Sequence, residues 1–159
     1  MTSVIRISVT EDYDSLVPFF IENQLEFSEE EPPVTEEIVK CWQITEDSFE
    51  DDGAPAGSRI IGGFVLAERQ GEYICDGVAV DEEYRMFGYG EELLRRGLEE
   101  VKSLGGSRMF LVARAPGFFA KSGFVPVPRE EAPEFFECLT CPQYGVDCHP
   151  EVMRKDLQL

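Results

Sequence analysis

The stretch Arg85-Met86-Phe87-Gly88-Tyr89-Gly90 constrains this chain more than any other. It stands between the apolar run Val78-Ala79-Val80 and a segment with helical spacing that opens at Glu91, so it reads as strand, turn and helix N-terminus. Such a junction aims several backbone N–H groups at one point. The helix start adds roughly half a positive charge from its dipole, and the point suits an anion, above all a diphosphate. Gly88 and Gly90 let the backbone approach that anion with no Cβ in the way. Spacing excludes two commoner phosphate loops. A Rossmann fingerprint needs a third glycine where Leu93 stands, and a P-loop needs Gly-Lys followed by Ser or Thr, absent here. For the hexamer alone, the competing reading is a glycine-rich turn without a ligand.

A chain of 159 residues predicts one domain, 1–159, with a single sizeable core and a cysteine-containing tail over 134–159. No apolar run approaches the ~18 residues of a membrane span, and Met1 to Arg6 begins a strand rather than a signal peptide. The expected compartment is the cytoplasm. A formal net charge of −18 argues against nucleic acid and anionic membranes as partners, because both need clustered Lys and Arg. It also opposes a polyanionic ligand, so the helix N-terminus must prevail locally. Most of these charges read as a solvated acidic surface.

Val4 to Val9 reads as a strand. Thr10 then caps a helix with Glu11 and Asp12 in its first turn and Leu16, Val17, Phe20 and Ile21 on its apolar face. After Pro32-Pro33, the residues Thr35, Glu37 and Ile38 predict a short helix to about Ile44. Glu50 to Ser58 reads as a polar turn region. Arg59–Glu68 and Glu72–Val80 read as strands joined in a hairpin by Arg69-Gln70-Gly71. Leu94, Leu98, Val101 and Leu104 keep helical spacing from Glu91 to Leu104, and Gly105-Gly106 ends that helix. Arg108 to Val112 then reads as a strand parallel to Val78–Val80. Ala115 to Ser122 reads as a short helix.

The hexamer resembles motif A of the GNAT acetyltransferases, Arg/Gln-x-x-Gly-x-Gly/Ala. The likeness extends to Val80-Asp81-Glu82-Glu83-Tyr84-Arg85, similar to the family's approach to that turn. It also extends to Phe118-Phe119-Ala120-Lys121-Ser122-Gly123-Phe124, similar to its later F-Y-x-K-x-G-F segment. The resemblance implies an α/β GNAT-type fold: a mixed, mostly antiparallel sheet, splayed in the middle, with helices on both faces. It also implies acetyl-CoA as cosubstrate, its diphosphate held by Arg85, Met86, Phe87, Gly88, Tyr89 and Gly90. Backbone groups of Val78 and Val80 would pair with pantetheine, with the Val78 N–H near the thioester oxygen as an oxyanion donor. Gly77 is well placed for a bulge that opens the sheet.

The implied reaction moves an acetyl group to a primary amine of a small molecule by direct attack. An ammonium acceptor must first lose a proton, and Glu72 and Asp76, on the strand lining the family's acceptor cleft, are the candidate bases. Where many relatives carry a Tyr that protonates the departing thiolate, this chain has Phe119, and Val112 stands where many carry an Asn that contacts the cofactor. A CoA thiol titrates near about 8.5, so its thiolate is a fair leaving group without an acid. The missing acid then costs up to roughly 100-fold, with Tyr144 or water as substitutes. The alternatives are a non-catalytic acetyl-CoA sensor or interaction module, and a protein or peptide N-acetyltransferase. The resemblance also sets Glu29–Glu31, Glu36-Glu37, Glu46-Asp47 and Glu50–Asp52 beside the acceptor pocket, which favours a cationic amine, and allows a homodimer.

Cys138-x-x-Cys141 followed by Cys148-His149 has the spacing of metal ligands, and zinc is the metal it suits. The other reading is a set of thiols kept reduced. The same tail, with Ala115-Pro116 and Gly123-Phe124, is similar to the C-terminal part of bacterial N-acetylglutamate synthases. An acidic rim suits glutamate only if Arg59, Arg114 or Arg129 reaches the site. The one histidine, next to Cys148, makes a hydrolase triad a poor fit.

Overall fold

Residues 38–49 form a strand, not the helix that Thr35, Glu37 and Ile38 predict. In a computed structural model, which describes residues 2–22, 38–113, 116–128 and 151–157, this strand (β2, Ile38–Phe49) lies between two others. Strand β1 (Thr2–Thr10) pairs with it antiparallel from Thr2↔Phe49 to Thr10↔Cys41. Strand β3 (Pro55–Arg69) pairs on its other side from Phe49↔Pro55 to Ile38↔Ala67. Sandwiched in this way, β2 buries both of its faces: Cys41, Trp42, Ile44 and Thr45 are all covered. Its register shifts between Ile38 and Lys40 and again between Ile44 and Thr45. Bulges of this kind break the period-two pattern that would have announced a strand.

The remaining elements are α1 (Tyr13–Glu22), β4 (Glu72–Val80), a 3₁₀ turn (Glu82–Phe87), α2 (Tyr89–Ser103), β5 (Arg108–Ala113), α3 (Pro116–Lys121), β6 (Val125–Pro126) and β7 (Glu151–Asp156). The strands make a seven-stranded sheet in the order β1-β2-β3-β4-β5-β7-β6, with β4 and β5 parallel and the β5–β7 and β6–β7 pairs antiparallel. No helix among the described residues is long and apolar enough to cross a membrane. The chain divides into two compact units, one of Met1–Ala67 with Asp76–Arg96 and one of Glu68–Cys75 with Gly97–Leu159.

In the first unit, Asp12 rather than Thr10 caps α1. Its Oδ1 accepts from the Ser15 N–H at 3.2 Å, while the Thr10 hydroxyl oxygen accepts from the Asp12 N–H at 3.1 Å. The helix buries Tyr13, Leu16, Phe19 and Phe20 against Cys41 and Val65. Each such ring or branched chain contributes about 1.5–3 kcal/mol when fully covered. Gly63 permits this approach: a Cβ there would stand 2.8 Å from Leu16 Cδ2 and 3.3 Å from Phe20 Cζ. On the other sheet face Trp42 meets Phe64 edge-on, ring centroids 5.6 Å apart.

In the second unit, β5 takes β4 as a parallel neighbour at Tyr73↔Met109 and Ile74↔Phe110, and β7 as an antiparallel neighbour along its whole length. Met109, Phe110, Leu111, Val152 and Met153 are buried along this pair of strands. Helix α2 starts at Tyr89, two positions before the sequence places it, and ends where Gly105 takes a φ of 84° and Gly106 N–H bonds to the Val101 carbonyl at 2.8 Å. Leu104, read as part of the apolar face, is exposed beyond that end. The β3–β4 turn is as the sequence predicts: Gln70 and Gly71 both have positive φ, 53° and 81°, the pairing a two-residue type I′ hairpin requires.

Candidate active site

Asp81 follows β4 and fixes the chain's exit from the sheet. Its N–H donates to the Ile61 carbonyl on β3 at 2.8 Å. Its Oδ1 accepts from the Glu83 N–H at 3.1 Å and its carbonyl from the Tyr84 N–H at 2.8 Å, so it caps the 3₁₀ turn. Two residues of that turn reach back to the sheet. Arg85 Nε donates to the Val80 carbonyl at 2.9 Å. The Tyr84 hydroxyl donates to Glu46 Oε2 on β2, and that bond to a carboxylate pushes the phenol above its ordinary pKa.

The 3₁₀ turn closes on Gly88, whose φ of 77° and ψ of 13° lie in the left-handed region. A Cβ at Gly88 would meet nothing within 4 Å, so the backbone angle and not crowding calls for glycine here. The first bond inside α2 runs from the Glu92 N–H to the Gly88 carbonyl at 3.1 Å. The N–H groups of Tyr89, Gly90 and Glu91 therefore have no acceptor within the helix. With the helix dipole, N–H groups placed in this way are the kind of helix start that suits an anion. One first-turn carboxylate is already neutralised. Glu92 accepts from Arg95 Nε and Arg96 Nε, each at 3.0 Å, and these bonds hold its pKa down to about 2.

The six residues Arg85 to Gly90 thus lie in one continuous turn at the end of the strand carrying Val78, half-buried, and Val80, buried. Met86 and Phe87 are exposed, at 95% and 66%, with the Phe87 ring 5.8 Å from that of Tyr89. Asp76 belongs to the same unit and is half-buried; its charge adds to burial in raising the Cys41 thiol to about 11. Glu72 belongs to the other unit, where Arg108 grips it as a fork, Nε to Oε2 at 3.1 Å and Nη2 to Oε1 closer still. Phe119 is buried there edge-on to Phe118 and Phe124, with centroids 5.0 and 6.0 Å away.

Among the described residues, part of the acidic segment is engaged in local structure. Asp47 accepts from the Ser58 hydroxyl at 2.7 Å, which lowers its pKa, and the Glu50–Gly53 turn closes with Gly53 N–H on the Glu50 carbonyl at 2.8 Å. Arg59 lies over the Tyr84 ring, 5.8 Å from Cζ to centroid, and 3.7 Å from Asp81. Sequence reasoning missed Asp81, Glu46 and Arg59 as supports of the turn. Asp81 carries a signal, an Asp two residues before Glu83 at a strand end, whereas Glu46 is 38 residues from its partner and carries none. Cys138, Cys141, Cys148 and His149 lie outside the described residues, as do Arg114, Arg129, Tyr144, Glu29–Glu31 and Glu36-Glu37. Among the described residues no group of three or more His, Cys, Asp or Glu could hold a metal.

A family model described as the acetyltransferase (GNAT) family matches residues 13–124. The chain therefore belongs to the GNAT acetyltransferases, and its reaction class is acetyl-CoA-dependent acyl transfer. Solved structures of similar fold include a GNAT-family acetyltransferase from Staphylococcus aureus Mu50, 16% identical, covering 98% of this chain and 100% of that one, with a TM-score of 0.69. Another is the N-acetylglutamate synthase of Neisseria gonorrhoeae complexed with coenzyme A and N-acetyl-glutamate, 22% identical, with a TM-score of 0.62. All of this chain aligns, but it spans only 36% of the synthase. A third is the ribosomal-protein-S18-alanine N-acetyltransferase of Escherichia coli, 17% identical over 98% of this chain and 96% of that one, TM-score 0.62.

Proposed function

We propose that the protein acetylates a primary amine of a small molecule, with Asp76 as the base and the Gly88 turn as the diphosphate cradle. The observation that carries this reading is the left-handed Gly88 leading into α2, which leaves the first N–H groups of the helix without intrahelical partners beside Arg85. Coenzyme A in the Neisseria synthase complex supports the choice of anion. The Val80 carbonyl already accepts from Arg85, so Val80 would offer pantetheine its N–H, while the Val78 N–H would meet the oxyanion.

The amine lone pair attacks the thioester carbon, the carbonyl oxygen takes the negative charge, and the C–S bond then breaks with its electron pair going to sulfur. Asp76 takes the amine proton, directly or through one water. Asp76 is preferred because it stands on β4 two residues before Val78, in the unit that carries the Gly88 turn, while in the other unit Arg108 holds both oxygens of Glu72. The thiolate leaves without a tyrosine acid, because the position of the usual hydroxyl is the buried ring of Phe119.

That same ring supports a second reading, an acetyl-CoA sensor without turnover. Thiol release from acetyl-CoA, measured with polyamines, glutamate, other amino acids and lysine peptides, separates the two. Turnover with a small amine supports the first reading, and turnover with peptides alone transfers the chemistry to a protein acceptor. Binding without turnover supports the sensor. No binding of acetyl-CoA defeats both.

A further inference from the structure

We infer that Tyr84 and Glu46, braced by Arg59 and Asp81, are positioning residues that hold the Arg85–Gly90 turn in register for the acetyl-CoA diphosphate. The inference rests on the acetyl-CoA reading of that turn and adds residues which act through the backbone rather than on the reactants. The turn's other ties include two that are local in sequence, the Asp81 cap on Glu83 and the Arg85 bond to Val80, and the Asp81 N–H on the Ile61 carbonyl of β3. Beyond them its outer arc carries exposed side chains, Met86 and Phe87. Tyr84 reaches much further, to Glu46 on β2, while its ring lies beneath Arg59 of β3, whose Nη1 is 3.7 Å from Asp81 Oδ2. Two strands of the sheet thus grip the segment that ends in Gly88.

Such a grip matters for binding because N–H groups favour an anion most when their orientation is fixed before it arrives. It also disposes of a charge. The Glu46 carboxylate would repel a diphosphate if it turned toward the turn. Here it accepts the Tyr84 hydroxyl and lies in the field of Arg59, whose pKa rises through Tyr84 first and then through Asp81 and Glu46. A phenol is protonated at neutral pH in any case, and the same bond moves its pKa further up, so the hydroxyl remains a donor there.

The test is coenzyme A affinity by titration calorimetry on the full chain, beside the unfolding midpoint with and without coenzyme A. Tyr84→Phe keeps the ring and removes the hydroxyl, and Glu46→Met keeps the length of the side chain and removes the acceptor oxygens. Each is expected to weaken coenzyme A binding about tenfold, the scale of one hydrogen bond to a charged group. The double variant should weaken it no further, because both substitutions remove the same bond. Arg59→Lys, which keeps the charge and loses the planar stack, should give a smaller loss. The midpoint without coenzyme A should hold while the coenzyme-induced rise shrinks, which a merely structural role would not produce. Unchanged affinity in Tyr84→Phe, or a fall in the ligand-free midpoint that accounts for the loss, overturns the clamp and leaves the acetyl-CoA reading intact. A wild-type protein that ignores coenzyme A overturns that reading, and the clamp with it.

Discussion

The two ends of α2 both depend on glycine, and for opposite reasons. At the N-terminal end Gly88 has a positive φ and open space around it, and the residues that support the turn, Asp81, Tyr84 and Arg85, bond backward to the sheet. At the C-terminal end Gly106 is crowded. A Cβ there would stand 2.6 Å from Val101 Cγ1 and 2.7 Å from the Tyr73 ring. One glycine keeps a surface of N–H groups accessible and the other lets a core close. The two candidate carboxylates fall one in each unit: Asp76 belongs to the unit with the Gly88 turn, and Glu72 is held by Arg108 in the other. A residue type therefore says little until its surroundings are known.

The largest effect that would break this contrast is on turnover. Asp76→Asn should lower kcat by about 100-fold or more, the ordinary worth of a general base. Glu72→Gln should leave kcat nearly unchanged and cost less than about 1 kcal/mol of stability, because its ion pair is partly exposed. Steady-state rates and denaturant titration of the two variants check this, and a larger kcat loss in Glu72→Gln would reverse the assignment. Next comes Gly106→Ala, expected to lower stability by about 1–3 kcal/mol through overpacking against Val101 and Tyr73 while coenzyme A still binds the folded fraction. Urea denaturation measures the first part and calorimetry the second.

The smallest effect is electrostatic. Glu92 has its pKa lowered from 4.5 to about 2 by Arg95 and Arg96, so its stabilisation is present above its unfolded pKa and is lost as pH falls through the folded one. Glu92→Gln should be less stable than the wild type at neutral pH by a few tenths of a kcal/mol. The gap should close as pH falls from about 4.5 toward about 2. Thermal melts across that range give the answer, and a gap independent of pH would remove the carboxylate from the account.

The open end of the contrast was the more legible one in the sequence. Gly88 and Gly90 after a β-branched run, with helical spacing behind them, state their backbone requirement locally, and so do Gln70-Gly71 and Gly105. Strand β2 was not legible, because Ile38, Cys41 and Trp42 happen to fall at helical spacing while the register shifts hide the alternation. The start of β3 at Pro55 was hidden for a related reason. Pro55 and Gly57 read as breakers, yet both pair with β2, at Phe49 and Ser48. The choice between Glu72 and Asp76 depended on Arg108, 36 residues from Glu72, and long-range partners leave no local trace. The same holds for Glu46, which the resemblance placed among the acids beside the acceptor pocket and not under the turn.

Whether the Gly88 turn holds a diphosphate is decided by titrating the wild type and Gly88→Val with coenzyme A and with pantetheine, which lacks the diphosphate. A β-branched residue forced to a φ of 77° costs about 1–2 kcal/mol or pulls the turn out of shape. Gly88→Val is expected to lose about tenfold or more in coenzyme A affinity and to keep its affinity for pantetheine. Equal losses for both ligands, or a variant that binds coenzyme A as the wild type does, would contradict a diphosphate site at this turn.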